Sequence, residues 1–187
     1  MKIIECVPNF SEGRNRDVVE SIVAALTAVP GVRLLDYSLD ADHHRSVVTF
    51  IGSPDTVVAG ALAACSRAVE LIDMRQHQGG VHPRIGAVDV VPFIPLADAE
   101  MKDAIAAAHS FGALFGEQNQ IPVYFYGAAA LTAERRELPD VRRGGYESLS
   151  ERLKDPSWKP DAGPAVFNAK SGATAVGARI PLVAFNV

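Results

Sequence analysis

Short, β-branched apolar runs alternate along this chain with longer stretches in which apolar residues recur every three or four positions. The first kind of pattern suits buried strands and the second suits helices with one apolar stripe. Ile3–Phe10 is the first run, its length limited by Pro8. After the polar loop Ser11–Asn15, Val18, Ile22, Leu26 and Val29 mark a helix that Pro30 and Gly31 stop. Val32–Tyr37 and Ser46–Ile51 read as two strands joined by the polar turn Asp40–Arg45. Ser53 is the expected cap of a second helix, with Pro54 at its first position and Val58, Leu62, Cys65, Val69 and Ile72 on its stripe. Ala87–Ile94 is a fourth strand. Asp98 is the expected cap of a third helix carrying Met101, Ile105, Ala108 and Phe115, and Ile121–Tyr126 is a fifth strand. A charged stretch, Glu134–Lys159, holds a short helix at Tyr146–Lys154. The apolar tail Ala175–Val187 reads as a last strand. The order predicts an α+β fold whose first part, βαββαβ, is the ferredoxin-like pattern of an antiparallel sheet with helices packed on it.

Composition excludes several function classes. The chain has 187 residues, 48% of them hydrophobic and 21% charged, which is the balance of one globular unit. Its formal net charge is −4, and no basic stripe with interleaved aromatics is present, so nucleic acid is not expected as a partner. The N-terminus lacks the apolar core of a signal peptide and no run is long enough to span a bilayer, so a cytoplasmic protein without membrane contact is expected. Cys6 and Cys65 lie in apolar segments without metal-like or redox-like spacing and read as buried thiols.

Chemistry concentrates in two loops. In Met74–Ile94, MRQHQGGVHPRIGAVDVVPFI, His82 precedes Pro83, which restricts the preceding backbone to extended geometry. An imidazole held at a loop–strand junction suits a group that acts as base and then as acid. Asp89, inside the following apolar strand, needs a partner such as Arg84, a histidine or backbone amides. The second loop, GPAVFNAKSG at Gly163–Gly172, lacks the ending of a phosphate-binding loop, but its aromatic and amide groups could hold a flat heterocycle. His43 and His44 lie in the DADHHR turn, where adjacent side chains point in different directions. His109 flanks the third helix's stripe and reads as structural. Arg45, Arg84 and the pair Arg142–Arg143 are candidate carboxylate contacts by their charge. A metal-dependent hydrolase around His43, His44, His77 and His82 is a further reading.

The segments ECVPNFSEGRN, DADHHRSVVTFIG, HPRIGAVDVVPFIP, LPDVRRGGYESL and WKPDAGP…SGATAVGAR…AFN, in that order, resemble glutamate formiminotransferases, including the form fused to a cyclodeaminase. The resemblance covers essentially the whole chain and identifies residues 1–187 as the N-terminal subdomain of such an enzyme, without the second subdomain. It implies transfer of a formimino group from N-formimino-L-glutamate to N5 of tetrahydrofolate, the co-substrate, in histidine degradation and one-carbon metabolism, with no metal. It implies that His82 is the catalytic base. It also implies that Gly163, Pro164, Ala165, Val166, Phe167, Asn168, Ala169, Lys170, Ser171 and Gly172 bind substrate or folate. The protein partner implied is a second copy in a homodimer or a separate chain carrying the C-terminal subdomain. One departure is local: Val81 stands where the family commonly has a glutamate before the histidine. A non-catalytic folate-binding or regulatory module is the alternative function.

Overall fold

The computed structural model describes residues 1–77 and 83–181. Among these, seven strands form one mixed sheet. β1 (Ile4–Cys6) and β2 (Asn9–Phe10) run in one lane, broken at Val7–Pro8, because Pro8 has no N–H to give the ladder. The lane lies between β4 (Arg45–Gly52) and β5 (Val88–Pro95), antiparallel to both. β3 (Arg33–Asp40) pairs antiparallel with β4 through the polar turn at 41–44. On the other side β7 (Thr174–Ala178) lies parallel between β5 and β6 (Val123–Gly127). The lane order is therefore β3-β4-β1/β2-β5-β7-β6.

Three helices cover one face. α1 (Arg16–Thr27) is capped by Asn15, whose side chain accepts from the Asp17 and Val18 amides. α2 (Pro54–Leu71) is capped by Ser53, as its sequence predicts. α3 (Met101–Asn119) departs from expectation. Its cap is Glu100, paired with Asp103, which accepts from the Glu100 amide at 2.9 Å. Asp98 instead sits in a left-handed turn with its carboxylate on the N-terminal amine of Met1. Ile22 and Leu26 of α1, Ala61 and Cys65 of α2 and Phe111 and Phe115 of α3 join Ile4, Phe50, Val91 and Phe93 of the sheet in the main core. Cys6 and Cys65 are both free and buried there, and burial pushes both thiols up from their ordinary value.

The opposite face of β5, β7 and β6 is covered by the charged stretch after β6. It forms two short helices, α4 (Leu138–Arg142) and α5 (Leu149–Arg152), the second inside the predicted helical segment. Val141 and Leu149 pack there against Val90, Tyr124, Tyr126 and Ala175. β5 is thus covered on both faces, which is why its sequence is a continuous apolar run rather than an alternation. β4 alternates half-buried and buried residues, as a strand covered on one face should. Of the expected terminal strand, β7 ends at Ala178, and residues 182–187 lie outside the described residues.

Arg135 fastens this second layer. Its guanidinium reaches the Asp161 carboxylate at 2.6 Å and the carbonyls of Ser157 and Lys159, and Asp161 also accepts from the Phe125 amide of β6. Both partners are buried. Asp161→Ala should therefore lower unfolding free energy by about 3–5 kcal/mol in urea denaturation, because it strands a buried guanidinium. A loss below about 1 kcal/mol would show that the pair is not an anchor.

Candidate functional site

The loop–strand junction before β5 is built around Asp89. Its carboxylate accepts from the Ile85 amide at 2.9 Å and from the Arg142 guanidinium at 2.5 Å. A backbone amide was among the partners the sequence suggested, and Arg142 is a charged partner that it did not name for Asp89. This pair draws the end of α4 against the segment that follows Pro83. The result is a cleft of about 450 Å³ lined by Pro83, Arg84, Arg142, Arg143, Gly145 and Glu147, among others. His82 itself lies outside the described residues, as does Val81.

The Gly163–Gly172 loop is carried to the same place. Gly86 and Gly172 form a β-bridge, so the strand entering β5 and the strand entering β7 touch backbone to backbone. A Cβ on Gly86 would lie 2.2 Å from the Ala173 carbonyl oxygen, and one on Gly172 would lie 2.2 Å from that of Ile85. Only glycine permits this approach. Tyr146 ties the arrangement together. Its amide donates to the Arg84 carbonyl, its ring packs on Phe167 with centroids 5.6 Å apart, and its hydroxyl donates to the Ala169 carbonyl at 2.5 Å. Burial and the carboxylates of Asp73 and Glu147 push the Tyr146 phenol up, so it stays a neutral donor.

The residues of that loop divide by role. Gly163, in a left-handed conformation, packs on Gly116 and Ile121. Pro164, Ala165 and Val166 lie at or near the surface. The Asn168 side chain accepts from the Ser171 amide and its carbonyl accepts from the Gly172 amide, which closes the loop on itself. The Lys170 ammonium donates to the Glu70 carbonyl, and its own carbonyl accepts from Met74. Ser171 is buried. The faces of Phe167 and Tyr146 are thus the aromatic surface next to the arginine cleft.

The histidine turn borders this site. His43 turns back to Asp40, Nδ1 to carboxylate 2.6 Å, whereas His44 stacks on His77 with ring centroids 4.2 Å apart. The Gly13 amide donates to His44 Nδ1, and Arg84 Nε donates to His77 Nδ1 at 2.9 Å. Both rings therefore use Nδ1 as an acceptor and are neutral. Burial, the Arg84 guanidinium and His44 hold the His77 pKa down at about 4, and burial likewise lowers that of His44. His109 has the structural role read from the sequence, with Nε2 on the Ala129 carbonyl and its ring against Phe125. Among the described residues no three His, Cys, Asp or Glu side chains gather as metal ligands. Sequence reasoning missed two residues of the site, His77 as the holder of Arg84 and Glu147 as its carboxylate partner; neither has a local signature.

The neutral histidine predicts a pH response. His77 binds protons more weakly folded than unfolded, so its contribution to stability is fully present above about pH 6.5 and is lost as pH falls toward about 4. Groups facing it are Arg84, His44 and Glu12. His77→Gln keeps an acceptor for Arg84 without titrating. Urea denaturation of the variant should show a smaller loss of stability than the parent between pH 6.5 and pH 4. Parallel curves would contradict a neutral His77.

The profile of the formiminotransferase domain, N-terminal subdomain, matches residues 3–179. The chain is 48% identical over 186 residues to the formimidoyltransferase-cyclodeaminase of Gallus gallus, covering all of this chain and 34% of that protein. It is 46% identical over 189 residues to the glutamate formimidoyltransferase of Thermoplasma acidophilum and 43% identical over 186 residues to that of Streptococcus pyogenes. In both cases it is covered in full and spans 62% of the relative. The match takes in the β5 junction, the Gly163–Gly172 loop and the helical layer that joins them, and on that extent the chain belongs to the formiminotransferase family, within its N-terminal subdomain.

Proposed function

We propose that this chain is the N-terminal subdomain, residues 1–187, of a glutamate formimidoyltransferase. It moves the formimino group of N-formimino-L-glutamate to N5 of tetrahydrofolate, with His82 as general acid and base. The observation that supports this reading is the juxtaposition made by the Gly86–Gly172 bridge and Tyr146. The segment starting at Pro83, directly after His82, and the loop with Phe167 form two neighbouring walls beside an arginine-lined cleft. An aromatic wall suits a pterin ring, and guanidiniums suit a dicarboxylate donor. The lane order β3-β4-β1/β2-β5 supports reading the first part of the fold as ferredoxin-like.

The reaction needs one proton moved twice. The folate N5 lone pair attacks the formimino carbon, and the N5 proton passes to the His82 imidazole. The tetrahedral intermediate then breaks its bond to the glutamate nitrogen, which takes the same proton and leaves as glutamate. No metal and no covalent enzyme intermediate enters this scheme. The histidine supplies about 10²–10⁴-fold and orientation of the two substrates supplies much of the rest. The second subdomain would be a partner, in the same polypeptide or another, and the cytoplasm would be the setting.

Formimino transfer near pH 7, measured on the chain alone and with a second subdomain added in trans, tests the proposal. His82→Ala should lower the transfer rate by about 10²–10⁴-fold. An unchanged rate would remove His82 from the chemistry. Absence of transfer in both preparations, with tetrahydrofolate still bound, would favour a binding-only module.

A further inference from the structure

The cleft beside Pro83 is lined by three guanidiniums, and they differ in how firmly each is committed. Arg142 holds Asp89, whose side chain is only 3% exposed, so releasing it would leave a buried charge unpaired. Arg143 is 76% exposed and bonds to Asp140 within its own turn, so a new contact must order a long, loose side chain. Arg84 lies between these extremes. It is 16% exposed, its Nε is fixed on the neutral His77, and one terminal nitrogen meets Glu147 at 3.0 Å. Glu147 is 65% exposed. A pre-positioned fork is thus held by an anion that water can readily take back.

We propose that Arg84 is the seat for a glutamyl carboxylate, and that Glu147 is an internal carboxylate which the ligand's carboxylate displaces. The proposal rests on the transferase reading, which offers two sources of that group: the donor's glutamyl moiety or the glutamyl tail of the folate. The exchange replaces one anion by another, so the charge balance at Arg84 is unchanged. The Nε side is closed by His77 with His44 stacked behind it, and a ligand must approach from the terminal nitrogens that face the cleft. There the guanidinium offers the paired donors that match a carboxylate. An exposed ion pair contributes little to stability, so its displacement costs little.

Calorimetric titration of the 187-residue chain near pH 7 tests this, with L-glutamate, 5-formyltetrahydrofolate and 5-formyltetrahydropteroate as probes. The pteroate lacks the glutamyl tail. A glutamate signal that responds to the variants below marks the donor as the source; a folate signal that responds while the pteroate's does not marks the tail. Glu147→Gln removes the competing anion and should tighten the responding probe about two- to fivefold. Arg84→Gln should weaken it about tenfold or more. Glu147 is exposed, and a gain in affinity cannot come from misfolding. Unchanged or weaker affinity in Glu147→Gln, parental affinity in Arg84→Gln, or no binding of either glutamyl probe overturns the seat. Transfer activity is read separately. Transfer with glutamyl affinities indifferent to both variants overturns the seat and leaves the transferase reading. Responsive affinities without transfer, in the presence of a second subdomain, do the reverse.

Discussion

A carboxylate inside a strand covered on both faces costs several kcal/mol unless it is paired, and Asp89 is such a group. Two of its bonds decide more than its own stability. The Ile85 amide fixes the turn by which the chain enters β5, and Arg142 fixes the end of α4 across that turn. Both walls of the cleft are therefore positioned by one buried side chain that faces the second layer rather than the main core. The helices on the other face could form without it. The cleft could not, because α4 is a single short helix whose apolar contribution to its docking is Val141 and Leu138.

The second constraint is steric. Gly86 and Gly172 cross where any Cβ would lie 2.2 Å from a carbonyl oxygen, well inside van der Waals contact. Removing both Cβ atoms lets two loops far apart in sequence share a backbone bridge. Tyr146 then spans the same junction from the covering layer, with its amide on one loop and its hydroxyl on the other. Two glycines and one tyrosine thus turn separate sequence motifs into neighbouring surfaces.

Local signals in the sequence were sufficient for most of the sheet and helices. Pro30 and Gly31, Ser53 with Pro54, and the periodic apolar positions of α1 and α2 act within one turn of the chain, and the structure follows them. Pro8 marked a limit on the first strand, and it splits that strand into two pieces of one lane. Asp98 misled because an acidic residue before a helix is a good cap, yet the reciprocal pair at Glu100 and Asp103 had the better spacing. The site was legible only in part. That Asp89 needed a partner followed from burial alone; that Arg142 is one of its partners depends on how the covering layer folds back across 53 residues. The position of His77 under Arg84 depends likewise on two loops meeting, and no spacing rule reports it.

The histidines illustrate how such tertiary contacts assign chemistry to identical side chains. His43 and His44 are adjacent, yet one faces a carboxylate and the other an imidazole. A stacked ring with a guanidinium beyond it disfavours the charged imidazole, and His77 has both neighbours. Because Arg84 must donate, His77 must accept, and a protonated ring has no lone pair to offer. The pair His44–His77 therefore forms a neutral wall behind a fixed cation. Placing charge on the arginine and keeping it off the imidazoles gives the cleft a positive group that stays charged, and stays oriented, through the range in which an ordinary histidine would titrate.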